Sequence, residues 1–177
     1  MKDTHDFDAW VASTGPGLIR FGYLVSGDQQ VAEDLAREAL TRVRYRWRRL
    51  ADGGNPDTYA RTVVVSQLRS LPRKRARSAE ATELPAPQPP TEQSAQSAPP
   101  EMLLWSVILG LPERMRAAVV LRFYEDLDDV AIGQVLRCAP STVPVHIGEA
   151  LDRLRPHLPS DTVDGAVRTL PDAHEVR

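Results

Sequence analysis

Apolar residues recur along most of this chain every three to four positions, the spacing of a helix with one buried face. Leu18, Phe21, Leu24 and Val25 form the first clear stripe, and Ser26-Gly27-Asp28 interrupts it. Asp28 is suited to cap a second helix, which carries Val31, Leu35, Ala39, Leu40 and Val43 on its inner face. The stretch DGGNPD at 52–57 reads as a loop from its Gly, Asn and Pro content. Pro56, a good first-turn residue, opens a third helix with Tyr59, Val63, Val64 and Leu68, running to about Leu71 before Pro72 ends or kinks it. Further on, MLLWSVILGL (102–111) is apolar nearly all round, which predicts a buried helix, and Pro112 starts the next one, PERMRAAVVLRFYEDL. LDDVAIGQVL is a short helix, RCAP is a turn, and a last helix follows. Its inner face is Val143, Ile147, Ala150, Leu151 and Leu154, with Ser141 as the expected N-cap.

Between the two helical stretches lies ARSAEATELPAPQPPTEQSAQSAPP, residues 76–100, with no aromatic and a single leucine. It cannot bury enough apolar surface to offset the entropy of ordering, so it reads as a flexible linker. The expected architecture is all-α: two small helical domains, 1–77 and 101–157, joined by a Pro-rich linker at 78–100. A tail at 158–177 lacks sustained periodicity and is expected to be mobile.

Charge sharpens this division. The formal net charge is only −2, but residues 37–77 hold twelve basic and three acidic residues, and the rest of the chain is net negative. Such asymmetry points to contact with a polyanion, or else to a solvated basic helix face. Cys138 is the one cysteine, so an intramolecular disulfide and a multi-cysteine metal site are both excluded. The N-terminus, MKDTHDFDAW, is acidic where a signal peptide is basic. No apolar run approaches the roughly 18 residues of a membrane span, so a cytoplasmic location is expected. His5, His146, His157 and His174 are scattered, and no Gly-rich phosphate loop, nucleophile elbow or HExxH motif is present. The chain is not expected to be an enzyme or to need a metal or organic cofactor.

The last two helices raise a sharper question. Two short helices joined by a tight turn are either a DNA-reading helix-turn-helix or a simple packing corner. A helix that enters the major groove usually presents Arg, Lys, Asn or Gln. Here the outward positions are Pro144, Val145, His146, Glu149, Asp152 and Arg153.

In the words LIRFGYLVSGDQQVAEDLAREALTRVRYRW, NPDTYARTVVVSQLRS and LPERMRAAVVLRFYEDL, the chain resembles the extracytoplasmic-function sigma factors. These are small two-domain bacterial transcription initiation factors, and the style is that of the short actinobacterial members. The resemblance covers about residues 15 to 155. It implies core RNA polymerase and promoter DNA as partners, and in many members an anti-sigma factor. Polymerase docking would fall to Asp34, Leu35, Arg37 and Glu38. Contact with the −10 element would fall to Arg61, Ser66, Arg69, Ser70, Arg73, Lys74, Arg75 and Arg77. Contact with the −35 element would fall to Ser141, Thr142, Pro144, Val145, His146, Glu149 and Arg153. Arg37, Ser66, Ser70, Pro144, His146 and Glu149 depart from the family's usual residues. They motivate a second reading, a degenerate sigma-like protein that binds polymerase or an anti-sigma partner and modulates transcription without reading promoters itself.

Overall fold

The computed structural model describes residues 2–70 and 100–157, and every element among them is helical. The first half contains α1 (Lys2–Ser26), α2 (Gln29–Tyr45), a short α3 (Trp47–Ala51) and α4 (Pro56–Leu68). The second half contains α5 (Pro100–Gly110), α6 (Glu113–Phe123), α7 (Asp129–Leu136) and α8 (Val143–Leu154), with 3-10 turns at Pro140–Thr142 and Arg155–His157. The expected all-α class is the one observed. The linker and the tail lie outside the described residues.

The punctuation that the sequence announces is made by side-chain caps. Asp28 accepts from the Val31 N–H at 2.9 Å, Asn55 from the Thr58 N–H at 3.0 Å, and Asp128 from the Ala131 N–H at 2.7 Å. Each satisfies one of the orphan donors at a helix start. The stretch between α2 and the loop at 52–57 is not one helix: α2 is broken at Arg46, whose N–H turns back to Val43 O at 2.9 Å, and α3 starts afresh at Trp47. Two local expectations are corrected. Helix α4 closes at Leu68, three residues short of Leu71. Ser141 does not cap the last helix: Pro140 starts a 3-10 turn closed by the Thr142 N–H on Ala139 O at 2.9 Å. Helix α8 therefore begins at Val143, with no side-chain cap and with Pro144 inside its first turn. A missing N–H costs nothing there, since first-turn donors have no intrahelical partner.

Helix α1 is longer than its apolar stripe. It runs unbroken through Gly15, Pro16 and Gly17 because its far end is anchored by tertiary packing. Phe7 and Trp10 sit 5.2 Å and 5.6 Å from the Trp47 ring, with Phe7 edge-on to it. Helices α1, α2 and α4 pack on one another, and α1 and α4 both also touch α6. Phe21, Val25, Val43, Val64, Leu121, Ile132 and Leu154 are fully buried in one continuous apolar cluster that draws on both halves.

The turn from α7 to α8 depends on two backbone features. Arg137 adopts a left-handed conformation (φ 55°), and the Cys138 N–H reaches back to Gly133 O at 3.0 Å. A Cβ on Gly133 would stand 3.0 Å from Cys138 O, so the chain can fold back this tightly only over a glycine. Gly27 plays the matching role between α1 and α2: its φ is +75°, and a Cβ there would meet the Leu109 side chain at 2.8 Å. Gly27→Ala is therefore expected to cost about 1–3 kcal/mol through left-handed strain and displacement of Leu109, read as a fall in the urea midpoint at unchanged slope.

Candidate nucleic-acid interface

The basic block of the sequence is carried by α2, α3 and α4, and the fold determines which of its arginines are available. Asp34 and Glu38 lie four residues apart on the outer face of α2, as helical spacing requires. Each is met by a neighbour: Arg37 Nη1 donates to Asp34 Oδ1 at 2.6 Å, and Arg42 Nε to Glu38 Oε1 at 2.7 Å. Such exposed pairs contribute little and exchange readily for another partner. Leu35, grouped with them in sequence, turns inward to the core and holds the helix rather than offering a surface. Beside this face, Arg37, Leu40, Thr41, Arg44 and Tyr45 border a shallow hollow of about 380 Å³ that reaches Phe7 and Val11 of α1.

Along α4 the candidate residues separate. Ser66 and Arg69 are exposed. Ser70 is half-buried and its hydroxyl donates to Gln67 O at 2.7 Å, so it is occupied locally. Arg61 is mostly buried and makes an ion pair with Glu125 from the second half of the chain, its Nε donating to Glu125 Oε2 at 2.9 Å. Arg73, Lys74, Arg75 and Arg77 lie outside the described residues.

Sequence reading overlooked a cavity of about 370 Å³ between α3 and α4, lined by Arg46, Arg49, Leu50, Gly53, Gly54 and Tyr59. The Arg46 guanidinium lies 5.3 Å over the Tyr59 ring, a cation–π arrangement. An aromatic face flanked by cations beside an open hollow is what holds an unstacked base against its phosphates. The available signal was Tyr59 and two glycines in the most basic stretch of the chain. At the end of α2, Arg44 lies 4.8 Å over Phe7, and Tyr45 is 86% exposed.

The last helix presents a different chemistry. Val143, Ile147, Ala150 and Leu154 are buried, while Ser141, Pro144, Val145, Glu149 and Arg153 are exposed and Thr142 is half-buried. His146 is not the outward-facing side chain that the pattern implied: it is half-buried, and both ring nitrogens are shielded from solvent. Arg155 is drawn to Asp152 at 3.2 Å. The outer surface of α8 is thus apolar and acidic along most of its length, with cations near its end.

Among the described residues no group of His, Cys, Asp and Glu is arranged to hold a metal ion, and no helix is long and apolar enough to cross a membrane. Residues 7–78 match the Sigma-70 region 2 family. Curated relatives extend over both halves. An RNA polymerase sigma-E factor of Streptomyces avermitilis is 31% identical over 90% of this chain and 88% of its own length. The sigma-E factor of Streptomyces coelicolor is 27% identical over 93% and 92%. Among solved structures, the sigma factor RpoE in complex with the anti-sigma factor NepR, from Bartonella quintana, shares the fold. Its TM-score is 0.68 at 22% identity, covering 88% of this chain and 98% of that one.

The cavity between α3 and α4 yields a direct expectation. Tyr59→Leu removes the ring beneath Arg46 and should weaken binding of a labelled single-stranded DNA by about tenfold, measured by fluorescence anisotropy, while the melting temperature stays close to that of the parent.

Proposed function

The chain belongs to the family of RNA polymerase sigma factors, and from that premise we propose how its surfaces divide the work of transcription initiation. It is a sigma factor: it confers promoter use on core RNA polymerase. Residues 1–77 form the region 2-like domain that docks on the polymerase and engages the −10 element. Residues 78–100 are the linker, and residues 101–157 are the region 4-like helix-turn-helix directed at the −35 element. Such a role involves no covalent chemistry of its own, and it belongs in the cytoplasm, where the polymerase and promoter DNA are.

In this reading Asp34 and Glu38, with Arg37 between them, meet a basic helical surface of the polymerase by exchanging their local arginine partners for the partner's cations. The −10 strand follows Arg61, Ser66, Arg69 and Ser70 toward Arg73, Lys74, Arg75 and Arg77, and a flipped base enters beside Tyr59. The observation that carries this reading is the cation-flanked aromatic cavity at Arg46 and Tyr59, set within the strongly basic block. Strand separation asks for that pairing: positive charge along phosphates and a face on which an extruded base can stack.

A second reading is favoured by α8. An exposed Glu149 and a covered His146 stand where a groove-reading helix needs donors. A protein with this helix could dock on polymerase, or bind an anti-sigma factor, without reading a −35 element. In vitro transcription of fragmented host genomic DNA, with and without the chain, separates the two. Discrete new start sites sharing an upstream motif support the sigma factor role, whereas co-elution with core polymerase and no new starts supports the modulator. Within the first reading, replacing Arg73, Lys74 and Arg75 together by Ala is expected to reduce open-complex formation at least about tenfold while leaving polymerase co-elution intact. In this reading these three charges neutralise phosphates and take no part in docking on the polymerase.

A further inference from the structure

From Pro144 to Asp152 the helix α8 offers solvent no side-chain donor, because both ring nitrogens of His146, the one donor in that stretch, are shielded. What it offers in their place is chemically narrow. Pro144, Val145, Gly148 and Glu149 are exposed. Val145, at 54%, is one of three large apolar side chains left so among the described residues. Gly148 lies one turn beyond Pro144, and a Cβ there would meet nothing within 4 Å. A glycine inside a helix is destabilising relative to alanine, and no contact within the described fold asks for this one. Bare backbone at that position does allow a ligand to approach closely.

Glu149 makes no ion pair among the described residues, whereas its neighbour Asp152 is met by Arg155 at 3.2 Å. Cations stand at the two ends of the helix instead. Arg137 lies in the turn before it and Arg153 in its last turn, and both are exposed. Charge is thus laid out as a major groove requires, with cations where phosphates form the rims and an acceptor beside apolar surface where base edges lie between them. The edges that such a row can read are limited. Purines present N7, and guanine also O6, as acceptors, to which neither a carboxylate nor an apolar group can bond. Pyrimidines present the complementary features, thymine its C5-methyl and cytosine its N4–H. Adenine N6–H is a donor as well, but the N7 acceptor beside it repels a carboxylate.

We propose that α8 reads pyrimidine edges: Pro144 and Val145 pack on thymine methyl groups and Glu149 accepts from a cytosine N4–H, while Arg137 and Arg153 hold the flanking phosphates. The proposal rests on the reading of residues 101–157 as directed at the −35 element, and it gives that element its chemical character. Val145 and Glu149 are four residues apart, about 6 Å along the helix at roughly 1.5 Å per residue. Base pairs follow one another at about 3.4 Å, so on a helix lying along the groove the thymine and the cytosine fall about two steps apart. Gly148 lies between the two contacts, where its bare backbone leaves room for the intervening base edge.

The absence of donors therefore selects among bases rather than abolishing readout. Each contact is also confined to one chemical group on the DNA. Uracil in place of thymine removes only the C5-methyl. N4-methylcytosine blocks the groove-facing N4–H, and 7-deazapurines remove the N7 acceptors that this helix has no means to read.

The test uses holoenzyme assembled from the full chain and core RNA polymerase, on a promoter fragment obtained from the genomic transcription experiment above. These base analogues are placed one at a time in its −35 element, and the holoenzyme concentration giving half-maximal open complex is read. The expected rise is about fourfold for each methyl lost and about tenfold for the blocked N4–H, with no change from the 7-deazapurines. Glu149→Gln should raise the value about tenfold on the unmodified promoter and make it insensitive to N4-methylcytosine, and Val145→Ala should blunt the response to uracil. Both side chains are exposed, and circular dichroism checks that helicity is kept. Loss with 7-deazapurines and indifference to uracil and N4-methylcytosine would overturn the proposal while leaving the sigma factor role standing. An N4-methylcytosine effect that is equal in the parent and in Glu149→Gln would overturn the assignment of Glu149. The absence of any new start site would overturn the sigma factor reading, and this proposal with it.

Discussion

The burial of α1 governs the arrangement of everything outside it. Phe21, Leu24 and Val25 are excluded from solvent at the meeting point of α2, α4 and α6, and the apolar cluster they join continues through Leu121 and Ile132 to Leu154. Burying three such side chains stabilises the fold by several kcal/mol, at about 1.5–3 kcal/mol each. Close approach is made possible by small residues on the facing helix: Ala32, Ala36 and Ala39 are all buried, and a Cβ on Gly22 of α1 would stand 3.1 Å from the Ala32 backbone and 3.3 Å from its Cβ. Once this face of α2 is committed inward, Asp34, Arg37, Glu38 and Thr41 have no direction left but outward. The acidic outer face of α2 is thus a consequence of where the apolar stripe had to go.

Electrostatics then sets which cations are ready for use. Arg37 and Arg42 rest on Asp34 and Glu38, Arg44 lies 3.7 Å from Asp8, and Arg46 lies over Tyr59. These are exposed or half-exposed contacts, each worth at most about 1 kcal/mol, and a polyanion or an acidic partner can replace them with little loss. Arg61 differs because its partner is also out of water. A pair buried from solvent is costly to leave half-made, so Arg61 and Glu125 must part and rehydrate together. The surface therefore holds one class of arginine that exchanges locally and one whose release is coupled to the packing of the two halves. Arg116 belongs with the second class. Burial pushes its pKa below the ordinary value while Glu113 draws it back, and its charge is spent on carbonyls at helix ends.

Much of this was legible in the residues. Helix starts at Asp28 and Pro56, the buried stripe of α8, and the basic block at 37–77 all follow from capping chemistry, periodicity and charge, which are properties of neighbours in sequence. The break at Arg46 and the length of α1 were not legible. Both depend on the packing of Phe7, Trp10 and Trp47, residues some forty positions apart that meet only after α1 and α2 have folded against each other. The cavity at Arg46 and Tyr59 escaped for the same reason, since its walls come from opposite ends of the loop at 52–57. His146 was read as outward because it lies off the apolar stripe of the last helix, yet both its ring nitrogens are shielded from solvent in the fold.

By itself, then, the sequence determined an all-α chain, most of its helix boundaries, a cationic block and a last helix poor in donors, because each of these is decided within a turn or two of backbone. Tertiary structure alone decided that Leu35 is buried in the core, that Tyr59 lines a cavity, and that Arg61 faces Glu125. Those outcomes depend on which buried faces meet, and the distance between two side chains far apart in sequence has no value until the apolar faces beneath them have been matched and water excluded between them.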